Sequence, residues 1–294
     1  MRRLFPTTYI AIRNFAYLTS SGHSGRNKFR ILCAWLRINF KYLTYATWFK
    51  FNTEKIFGLH FKAFEYKNIK FLYEDIFYRN EYYFSTKNDR PVIFDCGANI
   101  GMATLFFKWL YPNSSIYSFE PDPATFELLK YNVEKNKLKD VYLFNWAISD
   151  HDGKIDFYVD KKTPGSLVMS TKKERMTEHQ QFSSDKIEVS CVSFANFISN
   201  QKLSKIDYLK MDIEGAENEV LQDLEQAGQV GMVEKYGIEY HHNINEDKSK
   251  LSSFLQIFEK ANYSYQVDAK CIPLSAENKY QDLNMSFYKN YERN

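Results

Sequence analysis

Residues 91–120 read PVIFDCGANIGMATLFFKWLYPNSSIYSFE, and this one stretch holds the pattern of a strand, a glycine turn, a helix and a second strand. Residues 92–94 are a short apolar run, as in a strand covered on both faces. Residues 100–111 predict a helix that Pro112 stops, and residues 116–119 predict the next strand. The turn between them is Asp95-Cys96-Gly97-Ala98-Asn99-Ile100-Gly101. Gly97 allows a tight bend beside a ligand, and Gly101 lets the helix pack close to the strand. The free N–H groups at the helix start face the same space. The glycine spacing is not G-x-G-x-x-G, which argues against a nicotinamide dinucleotide. Asp95 would repel a pyrophosphate and welcome a cationic or amino-bearing ligand.

Strands and helices go on alternating after this unit. A helix spans 124–137 with Pro123 at its start, followed by strands at 142–144, 155–159, 187–192 and 206–211. A helix at 216–227, a strand at 233–240 and a helix at 248–261 complete the series. Such alternation means parallel strands joined by helical crossovers, an α/β doubly wound sheet with helices on both faces. Upstream, Phe61, Ala63 and Glu65 alternate with their neighbours, as do Ile69, Phe71 and Tyr73. With a turn at Lys67-Asn68 they predict a β-hairpin within a lead-in of residues 55–90.

Ligands in doubly wound sheets bind outside the carboxyl ends of the strands, so those loops matter most. Glu120 ends the second strand, where this architecture puts the carboxylate that grips ribose hydroxyls. The glycine turn and Glu120 together favour a nucleoside. Trp146 and Ala147 follow the third strand, where an adenine ring would lie. Asp212 and Glu214 stand two apart on a segment read as extended, and so point the same way. Glu217, in the first turn of the next helix, is explained by the helix dipole. Glu239 and His241 share one side of the following strand end.

These residues resemble the FkbM-type S-adenosylmethionine-dependent methyltransferases. The matching pieces are Asp95–Gly101, Glu120-Pro121-Asp122-Pro123 with Phe126 and Asn132, Ala147–Asp150 with Gly153, and Lys210-x-Asp212-x-Glu214-Gly215-Ala216-Glu217. Glu239 and His241 are similar to the family's Glu-x-His. The resemblance covers roughly residues 55–290; Ser193–Asn196 and Cys96 depart from it. It implies a Rossmann-like methyltransferase fold over residues 55–294 and methyl transfer to a hydroxyl of a sugar, glycan or related natural product, as in polysaccharide biosynthesis. S-adenosyl-L-methionine would be held by Asp95 at its amino end, by Gly97, Asn99 and Gly101, by Glu120 and Pro121, and by Ala147. Asp212, Glu214, Glu239 and His241 are candidates to position or deprotonate the acceptor. The same four could hold a divalent cation instead, but no residue is assigned as a metal ligand. A competing expectation is a non-catalytic, membrane-associated protein that keeps the fold as an interaction module.

The rest of the composition bounds these readings. The chain has 294 residues, 44% apolar and 26% charged, enough for a sizeable core. Its four cysteines form no C-x-x-C pair, so they predict reduced, buried thiols rather than zinc or disulfides. The charge is uneven: residues 1–50 carry nine Lys or Arg and no acid, leaving 30 basic against 36 acidic side chains elsewhere. Residues 1–54 form a separate basic, aromatic segment. A helix over 28–49 places Phe29, Leu32, Cys33, Leu36, Phe40 and Leu43 on one stripe, with Arg30, Arg37 and Lys41 beside it. Ile31, Trp35, Ile38, Tyr42 and Tyr45 lie opposite, so the helix calls for burial on two sides. Two readings compete, a cover on the catalytic domain and attachment to an anionic membrane surface, with a cleaved targeting sequence as the remaining alternative. The expected location is cytoplasmic, or peripheral at the inner face of a membrane. Nucleic acid is not expected as a partner, because the body is acidic.

Overall fold

The computed structural model describes residues 15–46, 49–160, 169–173, 185–242, 250–269 and 281–290. Its centre is β3 (Val92–Cys96), flanked in parallel by β4 (Ser115–Phe119) and β9 (Tyr208–Met211). β5 (Val141–Phe144) extends the sheet beyond β4, and β10 (Lys235–His242) extends it beyond β9, both parallel. β12 (Gln281–Lys289) then pairs antiparallel with β10, and β11 (Tyr263–Ala269) antiparallel with β12. The order β11-β12-β10-β9-β3-β4-β5 makes a seven-stranded, mostly parallel sheet. The chain moves outward from β3 through β4 to β5, then returns to β3's other side at β9. That reversal opens a crevice at the strand ends.

Local sequence explains the helices that carry the loops. α3 (Met102–Leu110) is apolar nearly all round and is buried from Met102 to Lys108. α4 (Pro123–Lys135) starts with proline at its first position, and its cap Asp122 accepts from Thr125 N at 2.9 Å. Buried Asn132 of α4 donates to Ile100 O and Lys62 O, both at 2.8 Å, and accepts from Lys62 N at 2.8 Å. It thus ties the glycine turn to the upstream hairpin. Gly101, at φ +90°, sits where a Cβ would press on Leu129 Cδ1 at 2.7 Å. The close approach is therefore to α4, not to the strand.

Several expectations need correction. The hairpin exists but is earlier and tighter: β1 (Thr53–Ile56) and β2 (Leu59–Lys62) turn at Phe57-Gly58. Residues 66–73 are helical (α2, Tyr66–Tyr73) and bury Tyr66, Ile69 and Tyr73. Asn68, read as a turn residue, instead accepts the Glu65 backbone N–H at 3.1 Å, as at a helix start. The strands expected at 155–159 and 187–192 lie outside the main sheet. As β7 (Gly153–Val159) and β8 (Asp185–Ser193) they pair antiparallel, and β6 (Ala147–Ser149) joins β8 in a second, three-stranded sheet. The helix expected at 248–261 is seen as Leu251–Lys260, and residues 248–249 lie outside the described residues. Cys33 is exposed, unlike Cys96 and Cys191; Cys271 lies outside the described residues.

The leading helix, α1 (Gly25–Lys41), is capped by Ser24 and continues as a wider π-turn to Ala46. It buries Ile31, Ala34 and Ile38 in the same apolar cluster as Tyr73, Phe77 and Phe106. The stripe of Phe29, Leu36, Phe40 and Leu43 faces outward. Among the described residues, no helix is long and apolar enough to cross a membrane.

Candidate active site

The strand ends enclose a cavity of about 340 Å³ at the crevice. One side is made by Gly97, Ala98 and Asn99 after β3, by Glu120 and Pro121 after β4, and by Trp146, Ala147 and Ile148 after β5. The other is made by Asp212 and Glu214 after β9 and by Glu239 in β10. Asp75, Glu81 and Tyr82 from the segment before the sheet, and Asp282 of β12, also line it.

The first side is held rigidly. Gly97 N and Ala98 N both donate to Phe119 O, at 3.1 and 2.8 Å. Gly97 has φ +78°, and a Cβ there would collide with the backbone carbonyl of Asp212. Asn99, also left-handed at φ 49°, donates its N–H to Glu120 Oε2 at 2.9 Å. Asp122 N donates to the other Glu120 oxygen at 2.9 Å. Glu120 is thus fixed at the rim by two backbone donors. Burial nevertheless pushes its carboxyl up to about 8 against their pull. Asn145 secures the same corner by donating to Glu120 O and Pro121 O.

Of the residues expected to hold a cofactor, Gly97, Asn99, Glu120, Pro121 and Ala147 line the cavity, whereas Asp95 and Gly101 do not. The fully buried Asp95 carboxylate accepts from Thr104 Oγ1 at 2.6 Å and lies 3.6 Å from Lys210 Nζ. Lys210 in turn donates to Cys96 O and Gly97 O and stands 3.5 Å from Asp212 Oδ2. Burial would lower the lysine's pKa, but Asp212 and Asp95 override it and raise it. A buried ammonium therefore bolts the glycine turn to β9, just before Asp212. Sequence reading quoted Lys210 as part of a motif and gave it no role.

The acidic side is assembled differently from its prediction. Asp212 and Glu214 do not sit on an extended segment: β9 ends at Met211, and Glu214 adopts φ 56° in the turn before α6 (Glu217–Gln226). The turn still brings both carboxylates to the cavity. Tyr82 donates to Asp212 Oδ2 at 3.3 Å. Glu239 is held well above its usual range by burial and by the neighbouring Asp212 charge. Burial, with Asp75 nearby, pushes Glu81 up to about 8. Tyr82, Glu81 and Asp75 were missed because the segment before the sheet carries no motif.

His241 lies beneath this side, fully buried. Its Nδ1 is 2.8 Å from Glu217 Oε1 and its Nε2 is 3.1 Å from Glu214 Oε2. Burial favours the neutral ring, but Glu217 and Glu214 outweigh it and hold the His241 pKa well above its usual value. Its Nδ1 shares a hydrogen bond with Glu217, while its Nε2, close to Glu214, makes none among the described residues, so the ring is a clamp between two carboxylates with one nitrogen unbonded. Glu217, assigned only to the helix dipole, is the clamp's other jaw. Asp212, Glu214 and His241 bring one donor atom each within 4.8 Å, as do Glu239, His241 and Asp282. Either trio could hold a metal by spacing. A protonated His241 ring would offset part of the negative charge of Glu214 and Glu217.

Residues 95–265 match the methyltransferase FkbM domain, more than half of the chain. The protein belongs to the FkbM methyltransferase family. FkbM-family membership makes it an S-adenosylmethionine-dependent methyltransferase, an enzyme rather than a binding module. It is similar to Methyltransferase 1 of Beauveria bassiana, 29% identical over 53% of this chain and 68% of that protein. It is also similar to 2-O-methyltransferase NoeI of Sinorhizobium fredii, 33% identical over 45% of this chain and 56% of that one. With 31-O-demethyl-FK506 methyltransferase FkbM of Streptomyces tacrolimicus it shares 29% identity over 54% and 69%. The solved methyltransferase FkbM of Methylobacillus flagellatus aligns at 14% identity and a TM-score of 0.45. That alignment covers 73% of this chain, which spans about half of that protein, 47%.

Proposed function

We propose that this methyltransferase acts on a hydroxyl of a sugar, glycan or related polar small molecule that enters against the acidic side of the cavity. The observation that carries the reading is the sharing of one cavity by two unlike sides. One is made by the glycine turn, Glu120 and the loop of Trp146, and the other presents the acidic side chains Asp212, Glu214 and Glu239. Carboxylates accept hydrogen bonds from hydroxyls, and their charge suits a cationic donor.

The residues fit S-adenosylmethionine. Glu120 presents a carboxyl group fixed by two backbone donors for ribose hydroxyls, and Trp146 with Ala147 and Ile148 offers a surface for a flat ring. When bound, the donor supplies a methyl group on a sulfonium, which an acceptor oxygen takes in line as the C–S electron pair returns to sulfur. The chain's task is then alignment and removal of one proton. Asp212, steadied by Lys210 and Tyr82, orients the acceptor. Glu239 beside it receives the proton. The name of the NoeI relative, a 2-O-methyltransferase, supports oxygen as the target.

The test is to incubate the purified protein with S-adenosylmethionine and a panel of sugars, glycans and polyols. An acceptor should gain the mass of one CH₂ as S-adenosylhomocysteine accumulates. Glu239→Gln should slow turnover by about a hundredfold or more while leaving donor affinity within about twofold. Methylation confined to nitrogen or carbon acceptors would overturn the hydroxyl reading, and an unslowed Glu239→Gln would overturn the role given to Glu239.

A further inference from the structure

Among the described residues, nothing covers the apolar stripe on the outward face of α1. Phe29 is 68% exposed, Leu36 53%, Phe40 63% and Leu43 77%, and exposed Cys33 lies among them. They recur at three- and four-residue intervals, one continuous strip along the helix. Exposed Phe49 and Phe51 follow just beyond it. Isolated apolar residues on a surface are ordinary, but a contiguous strip of this size marks a contact surface.

The strip's border says what covers it. Arg26, Arg30, Arg37 and Lys41 run along one edge, again at helical spacing, and residues 1–50 contain no acid to balance them. Part of this charge is used at home: Arg37 and Lys41 pair with Glu54, and Arg30 lies over the Phe57 ring. Glu54 is a single carboxylate, so the edge stays net positive. A second copy of this chain would bring an equally basic edge against it. A helix with aromatic and leucine side chains outward, a cationic border and its other face anchored in a folded body has the design of an in-plane interfacial helix.

We propose that α1 is a membrane-docking element that lies in the surface of an anionic lipid bilayer. The strip sinks toward the acyl chains, and the basic edge meets the lipid phosphates. The acidic remainder of the chain is repelled by the same surface, which sets the orientation. α1 packs on the helical segment whose Leu72, Asp75 and Ile76 line the cavity, so the lipid surface and the acceptor side are one helical layer apart.

The test is flotation of the full chain with vesicles of phosphatidylglycerol and phosphatidylcholine, alongside vesicles of phosphatidylcholine alone. Binding should require the anionic lipid and weaken with added salt. Phe40→Ser with Leu43→Ser should lower partitioning at least about tenfold. Arg26→Gln with Arg30→Gln should lower it by about ten- to thirtyfold. These side chains are surface residues, and unchanged S-adenosylmethionine binding would show that the variants remain folded. In a Cys271→Ser background, a polarity-sensitive dye on Cys33 should shift to the blue on anionic vesicles only. Failure to float with anionic vesicles, or equal flotation by the serine variant, would overturn the proposal. So would a dimer in light scattering that the serine variant abolishes.

Discussion

Replacing Gly97 by alanine tests the close approach on which the cavity depends. The substitution meets two separate obstacles. At φ +78° an L-residue is strained, at a cost of about 1–2 kcal/mol. Its Cβ would also strike the Asp212 carbonyl, with the carbonyl carbon only 2.9 Å away, so backbone must separate from backbone. Neither side can yield freely. Gly97 N is bonded to Phe119 O, and Asp212 N donates to Cys96 O at 3.1 Å. Losing one or two such bonds adds about 1 kcal/mol each, for a total of about 2–4 kcal/mol. The melting temperature should fall by about 5–10 °C. Because the displaced loop lines the donor side, calorimetry should also show S-adenosylmethionine affinity reduced at least about tenfold. Gly58→Ala supplies the control. Its φ is +98°, but nothing lies within 4 Å of the added carbon, so it should cost only the conformational part and leave donor binding intact. Equal stability losses in the two variants, or normal donor binding by Gly97→Ala, would refute the reasoning.

Three further outcomes follow from the same geometry. Burial raises the Glu120 carboxyl from 4.5 to about 8, so the folded state retains a proton that the unfolded chain releases. The stability of the wild type relative to Glu120→Gln should therefore decline as pH rises through this window, readable in melts at about pH 5 and about pH 8. Lys210→Met strips Asp95 and Asp212 of their shared cation and should cost about 3–5 kcal/mol in urea titrations. A smaller loss than in Gly97→Ala would show that the ammonium is not the bolt it is taken to be. Asn132→Leu leaves Lys62 N–H, Lys62 O and Ile100 O without their partner and should cost about 2–4 kcal/mol. Hydrogen exchange should then quicken at Lys62.

Much of the site could be read along the chain because its pieces are local. A tight glycine turn, a carboxylate ending the next strand and an acidic turn before a helix each occupy a few consecutive residues. Strand–helix alternation alone was enough to bring them to one rim. Short apolar runs were harder. Ile69, Phe71 and Tyr73 fit a strand's alternation, yet Tyr66, Ile69 and Tyr73 fit a helix equally well, and packing chose the second. The three-stranded sheet of β6, β7 and β8 was unreadable as such, because strand partners are chosen by space rather than by order.

Sequence by itself determined the doubly wound architecture, the loops after β3 and β4 that line the cavity and the charge contrast between the leading segment and the body, since each is written in periodicity or composition. Tertiary structure decided which of α1's two apolar faces is buried, because both obey the helical period and only the neighbouring core distinguishes them. It also decided what His241 does. Glu217 lies 24 residues away and Glu214 sits in another loop, so only folding could set one carboxylate in a hydrogen bond with Nδ1 and a second close to Nε2.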